Sequence, residues 1–138
     1  MSSVNESNTE TIFEDYLKHY ADAVAIGTNK YNWIYERQTS KNEKIKRLLI
    51  GASKKDGSGK GRPDFIIQSR KNPDFIIAVE CKGDTAKHES KTGDEYADYA
   101  VDGVKLYSSF LSRGFDVLAV AVSGEDPKKL KNITLLAA

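Results

Sequence analysis

Apolar residues recur along the first third of the chain at spacings that predict two helices. Between residue 9 and about residue 25 they follow steps of three and four, the period of one helical face, at Phe13, Tyr16, Leu17, Tyr20 and Val24. Gly27 is expected to end this helix. A second helix is expected from about 41 to 52, where Ser40 and Glu43 have the spacing of a capping box. Its apolar stripe consists of Ile45, Leu48, Leu49 and Ala52.

Two identical apolar runs, both reading PDFII, predict a β-hairpin. They occupy residues 63–67 and 73–77, and the second run continues as AVECKGD. Residues 115–122 are almost continuously apolar, which is typical of a strand covered on both faces. A last short strand is expected at 133–136. The stretch NKYNWIYERQT alternates as in a strand, but no turn signal bounds it, so its assignment stays open.

A third helix is expected over residues 94–112, between the hairpin and the buried strand. Thr92 and Glu95 have the spacing of a capping box, and Gly114 suits a position just past the helix end. The inner face would consist of Tyr96, Tyr99, Ala100, Gly103, Tyr107, Phe110 and Leu111. The element order is then helix, helix, strand, strand, helix, strand, which predicts a mixed α/β layer arrangement.

Length and composition fit one globular domain over residues 1–138. Hydrophobic residues make up 39% of the chain and charged residues 30%, an ordinary balance for a globular protein. No run approaches the roughly 18 apolar residues that a membrane span requires. The opening MSSVNESNTE lacks the apolar segment of a secretory signal. We therefore expect a cytoplasmic protein with no membrane partner.

The side chains offered to a metal are mainly oxygen donors. Cys81 is the only cysteine, which excludes an internal disulfide and a multi-cysteine zinc cluster. The two histidines, His19 and His88, are far apart in sequence and give little support for zinc. The net charge is only +1, so any contact with nucleic acid must come from a local patch.

One such patch is a basic, glycine-rich loop after the second helix. Its cations, which could contact DNA phosphates, are Lys54, Lys55, Lys60 and Arg62. The alternative is that this loop is simply solvated.

The aspartates of the two PDFII runs differ in their distance from Glu80. Glu80 and Lys82 share one face of the second strand, because side chains alternate along it. Asp74 precedes Glu80 by six residues on the same strand, about 20 Å at about 3.3 Å per residue. If the hairpin pairs residues whose numbers add to 144, Asp64 lies opposite Glu80, with Cα atoms roughly 4.5–5.5 Å apart. Asp64 is therefore expected to share a metal with Glu80, and Asp74 to be a turn residue.

The string Pro63-Asp64, fifteen intervening residues and Glu80-Cys81-Lys82 resembles the motif of the PD-(D/E)xK nuclease superfamily. Over roughly residues 40–125, the stretches KGRPDFII, VECKGDTAKHES and YADYAVDGVKLYSSFL are similar to the N-terminal endonuclease domain of restriction-modification proteins. Those proteins, of the type IIG or type I-like kind, are fused to or work with N6-adenine DNA methyltransferases. The resemblance implies an α/β fold with a restriction-endonuclease-like core, in which a mixed four-stranded sheet is flanked by helices, and a metal-dependent endodeoxyribonuclease activity.

The same resemblance implies a Mg²⁺ site, in which Mn²⁺ is expected to substitute. Its ligands would be Asp64, Glu80 and the backbone carbonyl of Cys81. Lys82 would orient or help deprotonate the attacking water. A glutamate on the first helix often joins the site in this family, and Glu14 is the matching residue.

Two features of the helices qualify that resemblance. Glu14 could instead form a capping box with Thr11 at the helix start, in competition with a second box at Ser7 and Glu10. Related RecB-like nucleases also carry Gln-x-x-x-Tyr on the helix after the lysine, whereas here the chain has glycine at the glutamine position, four residues before Tyr107.

The expected partner is DNA, together with a fused or associated methyltransferase and a target-recognition region. The chain would then be a fragment or one component of a larger restriction-modification protein, and a homodimer is one route to double-strand cleavage. Two alternatives stay open. One is a stand-alone repair or structure-specific nuclease, and the other is a nuclease-like domain that binds nucleic acid or protein without cleaving.

Overall fold

A computed structural model describes residues 3–20, 24–25, 33–52, 62–124 and 132–137. Its elements, in chain order, are α1 (Ser3–Tyr20), β1 (Val24–Ala25), β2 (Trp33–Arg37), α2 (Glu43–Leu48), β3 (Phe65–Ser69), β4 (Phe75–Lys82), a short 3₁₀ helix (Thr85–Lys87), α3 (Ala100–Leu111), β5 (Asp116–Ser123) and β6 (Asn132–Ala137). None of the helices in these ranges is both long enough and apolar enough to cross a membrane.

The strands form one mixed sheet in the order β1-β2-β3-β4-β5-β6. The pairs β1–β2 and β4–β5 are parallel, and the other three pairs are antiparallel. The parallel β4–β5 pair requires a crossover, which α3 provides. The predicted α/β class and the mixed sheet flanked by helices are confirmed. The four predicted strands are β3 to β6, and β1 and β2 extend the sheet beyond the hairpin to six strands.

The stretch NKYNWIYERQT, whose assignment the sequence leaves open, contains strand β2. Three consecutive residues of it, Ile34 to Glu36, are buried, and Tyr35, which packs into the core on the α1 side, is only 2% exposed. Trp33 stays partly exposed and meets the Phe75 ring edge-on. The missing turn signal did not prevent strand formation, because pairing with β3 satisfies the backbone of β2 along its whole length.

The first helix starts earlier and ends earlier than the sequence predicts. It begins at Ser3 and ends at Tyr20, so both predicted capping boxes lie inside the helix and not at its start. Val24 continues the helical spacing but belongs to β1, where it pairs with Ile34. Pairing at the edge of the sheet therefore overrides the periodicity that predicted helix as far as residue 25.

The other two helices also start at residues that their spacing does not indicate. The cap of α2 is Asn42, whose side-chain oxygen accepts hydrogen bonds from the backbone N–H of Lys44 and Ile45. The predicted cap Ser40 instead donates to Glu36. Helix α3 begins at Ala100, eight residues after Thr92, because the intervening segment is held as a loop by side chains of the folded protein.

The two faces of the sheet bury two separate cores. On one face, Ile66 and Ala78 pack with α2 and α3. On the other, Phe65 and Val79 pack with Phe13 and Leu17 of α1. Side chains alternate between these cores along β3 and β4, so each residue's parity decides which helices it meets. Glu80 and Lys82 have the parity of Ala78 and belong to the face covered by α2 and α3.

Candidate active site

The hairpin has the register that the sequence predicts. Its Cα partners are Phe65–Val79, Ile66–Ala78, Ile67–Ile77 and Gln68–Ile76, and each pair of numbers adds to 144. Asp64 directly precedes β3, and Glu80 lies one residue beyond Val79 on β4. The next pair in this register is therefore Asp64 and Glu80.

Asp64 and Glu80 are buried together, and each carboxylate accepts from a backbone N–H of the hairpin. Asp64 is 6% exposed and Glu80 is 1% exposed. The backbone N–H of Asp64 donates to Oε1 of Glu80 at 3.1 Å, and the N–H of Cys81 donates to Oδ2 of Asp64 at 2.7 Å. The hairpin thus brings two acidic side chains to one point at the end of β3.

The carbonyl of Cys81 points toward the same place. In an extended strand the N–H and C=O of one residue lie on the same side, and the N–H of Cys81 is directed at Asp64. The carbonyl of Lys82 has the opposite direction, since it accepts from the N–H of Gly124 beyond the end of β5. In the register of the hairpin Cys81 falls opposite Pro63, which has no N–H to donate. The ladder between β3 and β4 therefore ends at the predicted site.

Lys82 is the last residue of β4, and its side chain reaches the loop before α3. Its Nζ donates to the backbone oxygen of Ala97 at 2.9 Å. Its own carbonyl is held by Gly124 and by the hydroxyl of Thr9 on α1. Lys82 shares the face of Glu80, as the alternation along β4 predicts.

Glu14 does not join Asp64 and Glu80. It lies on α1, over the opposite face of the sheet, where its carboxylate accepts from Tyr35 at 2.6 Å and from Arg37 at 3.1 Å. Burial and the bond to the Glu14 carboxylate raise the pKa of Tyr35 well above its ordinary value of 10.0. The neighbouring Phe13 packs into the core on the α1 side of the sheet, which orients this turn of the helix toward β2.

Glu10, which the sequence offered only as part of a capping box, is a buried glutamate of α1. It is 4% exposed and accepts from Arg37 and from the side chain of Gln38, both at 3.1 Å. Gln38 has a positive φ of 73°, an uncommon conformation outside glycine, and its N–H donates to the carbonyl of Asp64. Only the folded chain reveals this contact between α1, the end of β2 and Asp64.

The predicted basic patch is only partly described. Lys54, Lys55 and Lys60 lie outside the described residues, and Arg62 is exposed. Arg62 and Pro63 line a cavity of about 200 Å³ between β3 and α2. Its buried acid, Glu36, accepts from Ser40, from the N–H of Lys41 and from Gln68, so it holds the turn before α2.

The turn prediction for Asp74 is confirmed. Asp74 is exposed and occupies the turn that opens β4, with its carbonyl accepting from the N–H of Asp116 at 2.8 Å. It lies at the opposite end of β4 from Glu80.

The groups that could ligate a metal at this site are two carboxylates and one backbone carbonyl. Within the described ranges, no three side chains of His, Cys, Asp or Glu form a group that could hold a metal ion. The predicted site needs two such side chains, Asp64 and Glu80, and a backbone carbonyl. Comparison of the chain with protein-family models, with curated proteins and with solved structures found no match.

Proposed function

We propose that this chain is a Mg²⁺-dependent DNA endonuclease domain. One observation carries the proposal: the hairpin register brings Asp64 beside Glu80, both buried, at the residue pair where the PD-(D/E)xK resemblance requires two carboxylates. Burying two negatively charged carboxylates side by side is costly. A divalent cation would offset both charges.

The donors at this point suit magnesium. Mg²⁺ prefers oxygen ligands and is commonly held by one or two carboxylates with its remaining positions filled by water or phosphate oxygens. Asp64, Glu80 and the carbonyl of Cys81 would hold the ion, and Mn²⁺ would substitute. When bound, the metal supplies charge stabilisation at the phosphate and a more acidic water.

Lys82 is the positively charged side chain of the motif. It follows Glu80 on the same face of β4, and its ammonium group donates to the carbonyl of Ala97. We assign to it the orientation of the attacking water and the stabilisation of charge that develops on the phosphate.

The wider setting follows from the resemblance. We propose a single nuclease domain with a restriction-endonuclease-like core over residues 1–138, acting in the cytoplasm within a restriction-modification system. A methyltransferase and a target-recognition region, fused or associated, would select the DNA sequence, and pairing of two copies would allow both strands to be cut. The sheet that places Asp64, Glu80 and Lys82 at one end of β4 supports this reading.

The test is cleavage of supercoiled plasmid with Mg²⁺, with Mn²⁺ and with EDTA, for the wild type beside Asp64→Ala and Lys82→Ala. Metal-dependent nicking that both substitutions strongly reduce, without removing it completely, is the expected result. Nicking that stays at the wild-type rate in both would refute the assignment of the site. Mg²⁺ binding without any cleavage would show that the domain needs further domains, and the absence of any metal binding would favour a non-cleaving binding domain.

A further inference from the structure

The connection from β4 to α3 is long, and Lys82 closes it. Residues 83–99 contain only one short 3₁₀ helix, and connections of this length are usually functional or held by specific contacts. Lys82 is the last residue before the connection, and Ala97 lies in the turn that ends it. The bond from Lys82 Nζ to the Ala97 oxygen therefore joins the two ends of the loop.

A buried aspartate on α3 holds this loop in place. Asp102 is fully buried and lies in the first turn of α3. One carboxylate oxygen accepts from the N–H of Ser90 at 3.1 Å, and the other accepts from the Ser90 hydroxyl and from the N–H of Glu95 at 2.8 Å. Burial acts to raise the pKa of Asp102, but these hydrogen bonds outweigh it and hold the pKa below its ordinary value. Asp102 is thus a buried anion bound by the loop itself.

The contacts of Asp102 lead directly to Ala97. The N–H of Glu95 is held by Asp102, while the carbonyl of Glu95 accepts from the N–H of Asp98 and of Tyr99. These bonds close a turn over residues 95–99, and Ala97 is its central residue. The direction of the Ala97 carbonyl is consequently set by the peptide that Asp102 anchors.

Ser90 links a further backbone N–H of the loop to Asp102. Its hydroxyl donates to Asp102 and accepts from the N–H of Gly93, whose φ of +80° suits glycine. Residues 90, 93 and 95 are therefore held around one carboxylate. Among the described hydrogen bonds of the loop, Asp102 is the side chain that accepts from the most backbone N–H groups.

We propose that Asp102 is a positioning residue for Lys82, acting through Ser90, the 95–99 turn and the carbonyl of Ala97. The proposal rests on the catalytic role given to Lys82 above. A lysine side chain has about 2 kcal/mol of rotamer entropy, so an unanchored ammonium group would spend much of its time away from the phosphate. The loop anchored by Asp102 offers the ammonium group a fixed acceptor.

A double-mutant cycle with single-turnover cleavage tests this mechanism. Asp102→Asn keeps the size of the side chain but replaces one acceptor oxygen with an N–H₂ group, which cannot accept from Glu95 or Ser90 at that position. We expect the cleavage rate to fall about 10-fold with little change in DNA affinity. In the Lys82→Ala background the same substitution should have no further effect. An equal 10-fold loss in both backgrounds would overturn the proposal, because a purely structural role is additive.

The control is Asp98→Asn, which removes the same charge from an exposed residue of the same turn. We expect its cleavage rate to match the wild type. If Asp102→Asn does not fold, Ser90→Ala takes its place, with Ser90→Thr as the conservative variant expected to restore the rate. A rate for Ser90→Ala equal to that of the wild type would count against the proposal.

A second measurement does not depend on cleavage. The ¹³Cε and ¹⁵Nζ signals of Lys82, identified by their loss in Lys82→Arg, report the contact of the ammonium group. We expect both to shift in Asp102→Asn and to stay in place in Asp98→Asn. Unchanged Lys82 signals in Asp102→Asn would refute the positioning role. A wild type that shows these shifts but neither binds Mg²⁺ nor cuts DNA would refute the proposed function and leave the positioning intact.

Discussion

Asp64 and Asp74 occupy the same position in two identical pentapeptides, yet their surroundings differ completely. Asp64 is 6% exposed, binds the N–H of Cys81 and lies beside the buried Glu80. Asp74 is exposed and lies in the turn that begins β4. Both precede a strand with the sequence Phe-Ile-Ile. They differ in their place in the hairpin: Asp64 lies at its open end, and Asp74 lies at its turn.

The comparison shows that the environment of a carboxylate in a hairpin is set by register rather than by its local sequence. A register of pairs adding to 144 puts Asp64 at the open end of the hairpin, where Glu80 and Cys81 continue past the end of β3. It puts Asp74 at the closed end, where the chain reverses in water. We expect four measurable consequences of this difference, from the largest effect to the smallest.

The largest difference is expected in DNA cleavage. Asp64→Ala should reduce metal-dependent nicking of supercoiled plasmid at least about 100-fold, because it removes a carboxylate from the proposed metal site. Asp74→Ala should stay within about 2-fold of the wild type. Gel densitometry of nicked plasmid over time measures both rates. If the two variants lose activity equally, the register is not what distinguishes the aspartates.

The next difference is expected in metal affinity, measured by calorimetric titration with Mg²⁺. Glu80→Gln keeps an oxygen that can accept from the N–H of Asp64 but removes one negative charge, so we expect the affinity to fall about 10-fold or more. Asp74→Asn should leave the affinity unchanged. Glu14→Gln should do the same, because Glu14 binds Tyr35 and Arg37 on the other face of the sheet. A weakened affinity in Glu14→Gln would place the helix glutamate back in the site.

A smaller difference of opposite sign is expected in stability without metal. Asp64→Asn retains an acceptor for the N–H of Cys81 and removes one of two adjacent buried charges, so in EDTA we expect the free energy of unfolding to rise by about 1 kcal/mol. Asp74→Asn should change it by less than about 0.5 kcal/mol, as at most exposed sites. Urea unfolding measures both values. A loss of stability in Asp64→Asn would show that its charge stabilises the fold instead of serving a ligand.

The smallest effect concerns acid stability at the Asp64 end of the sheet. His88 contacts Ser123 and Thr134 there, and burial lowers the pKa of His88 below its ordinary value of 6.5. The unfolded chain then binds a proton more readily than the folded one, so stability falls as the pH drops below about 6.5. His88→Gln should flatten this part of the curve of unfolding free energy against pH. His19→Gln, on the exposed surface of α1, is the control and should leave the slope unchanged.

The parts of the fold that were predictable from sequence are those that local geometry decides. The alternation of Ile76, Ala78 and Glu80 assigned the faces of β4, and the short turn between the PDFII runs allowed only a few registers. Helix boundaries were less predictable. Ser40 and Thr92 had the spacing of cap residues, but their hydroxyls bind Glu36 and Asp94 in the folded chain.

Sequence by itself determined the pairing of Asp64 with Glu80 and the turn position of Asp74, because the two-residue period of a strand acts over only a few residues. Tertiary structure alone decided that Glu14 faces Tyr35 and Arg37, since that depends on which core receives α1. It also decided that Asp102 holds the loop whose carbonyl binds Lys82. These contacts join elements that are distant along the chain, and their hydrogen bonds form only when helices pack on both faces of the sheet.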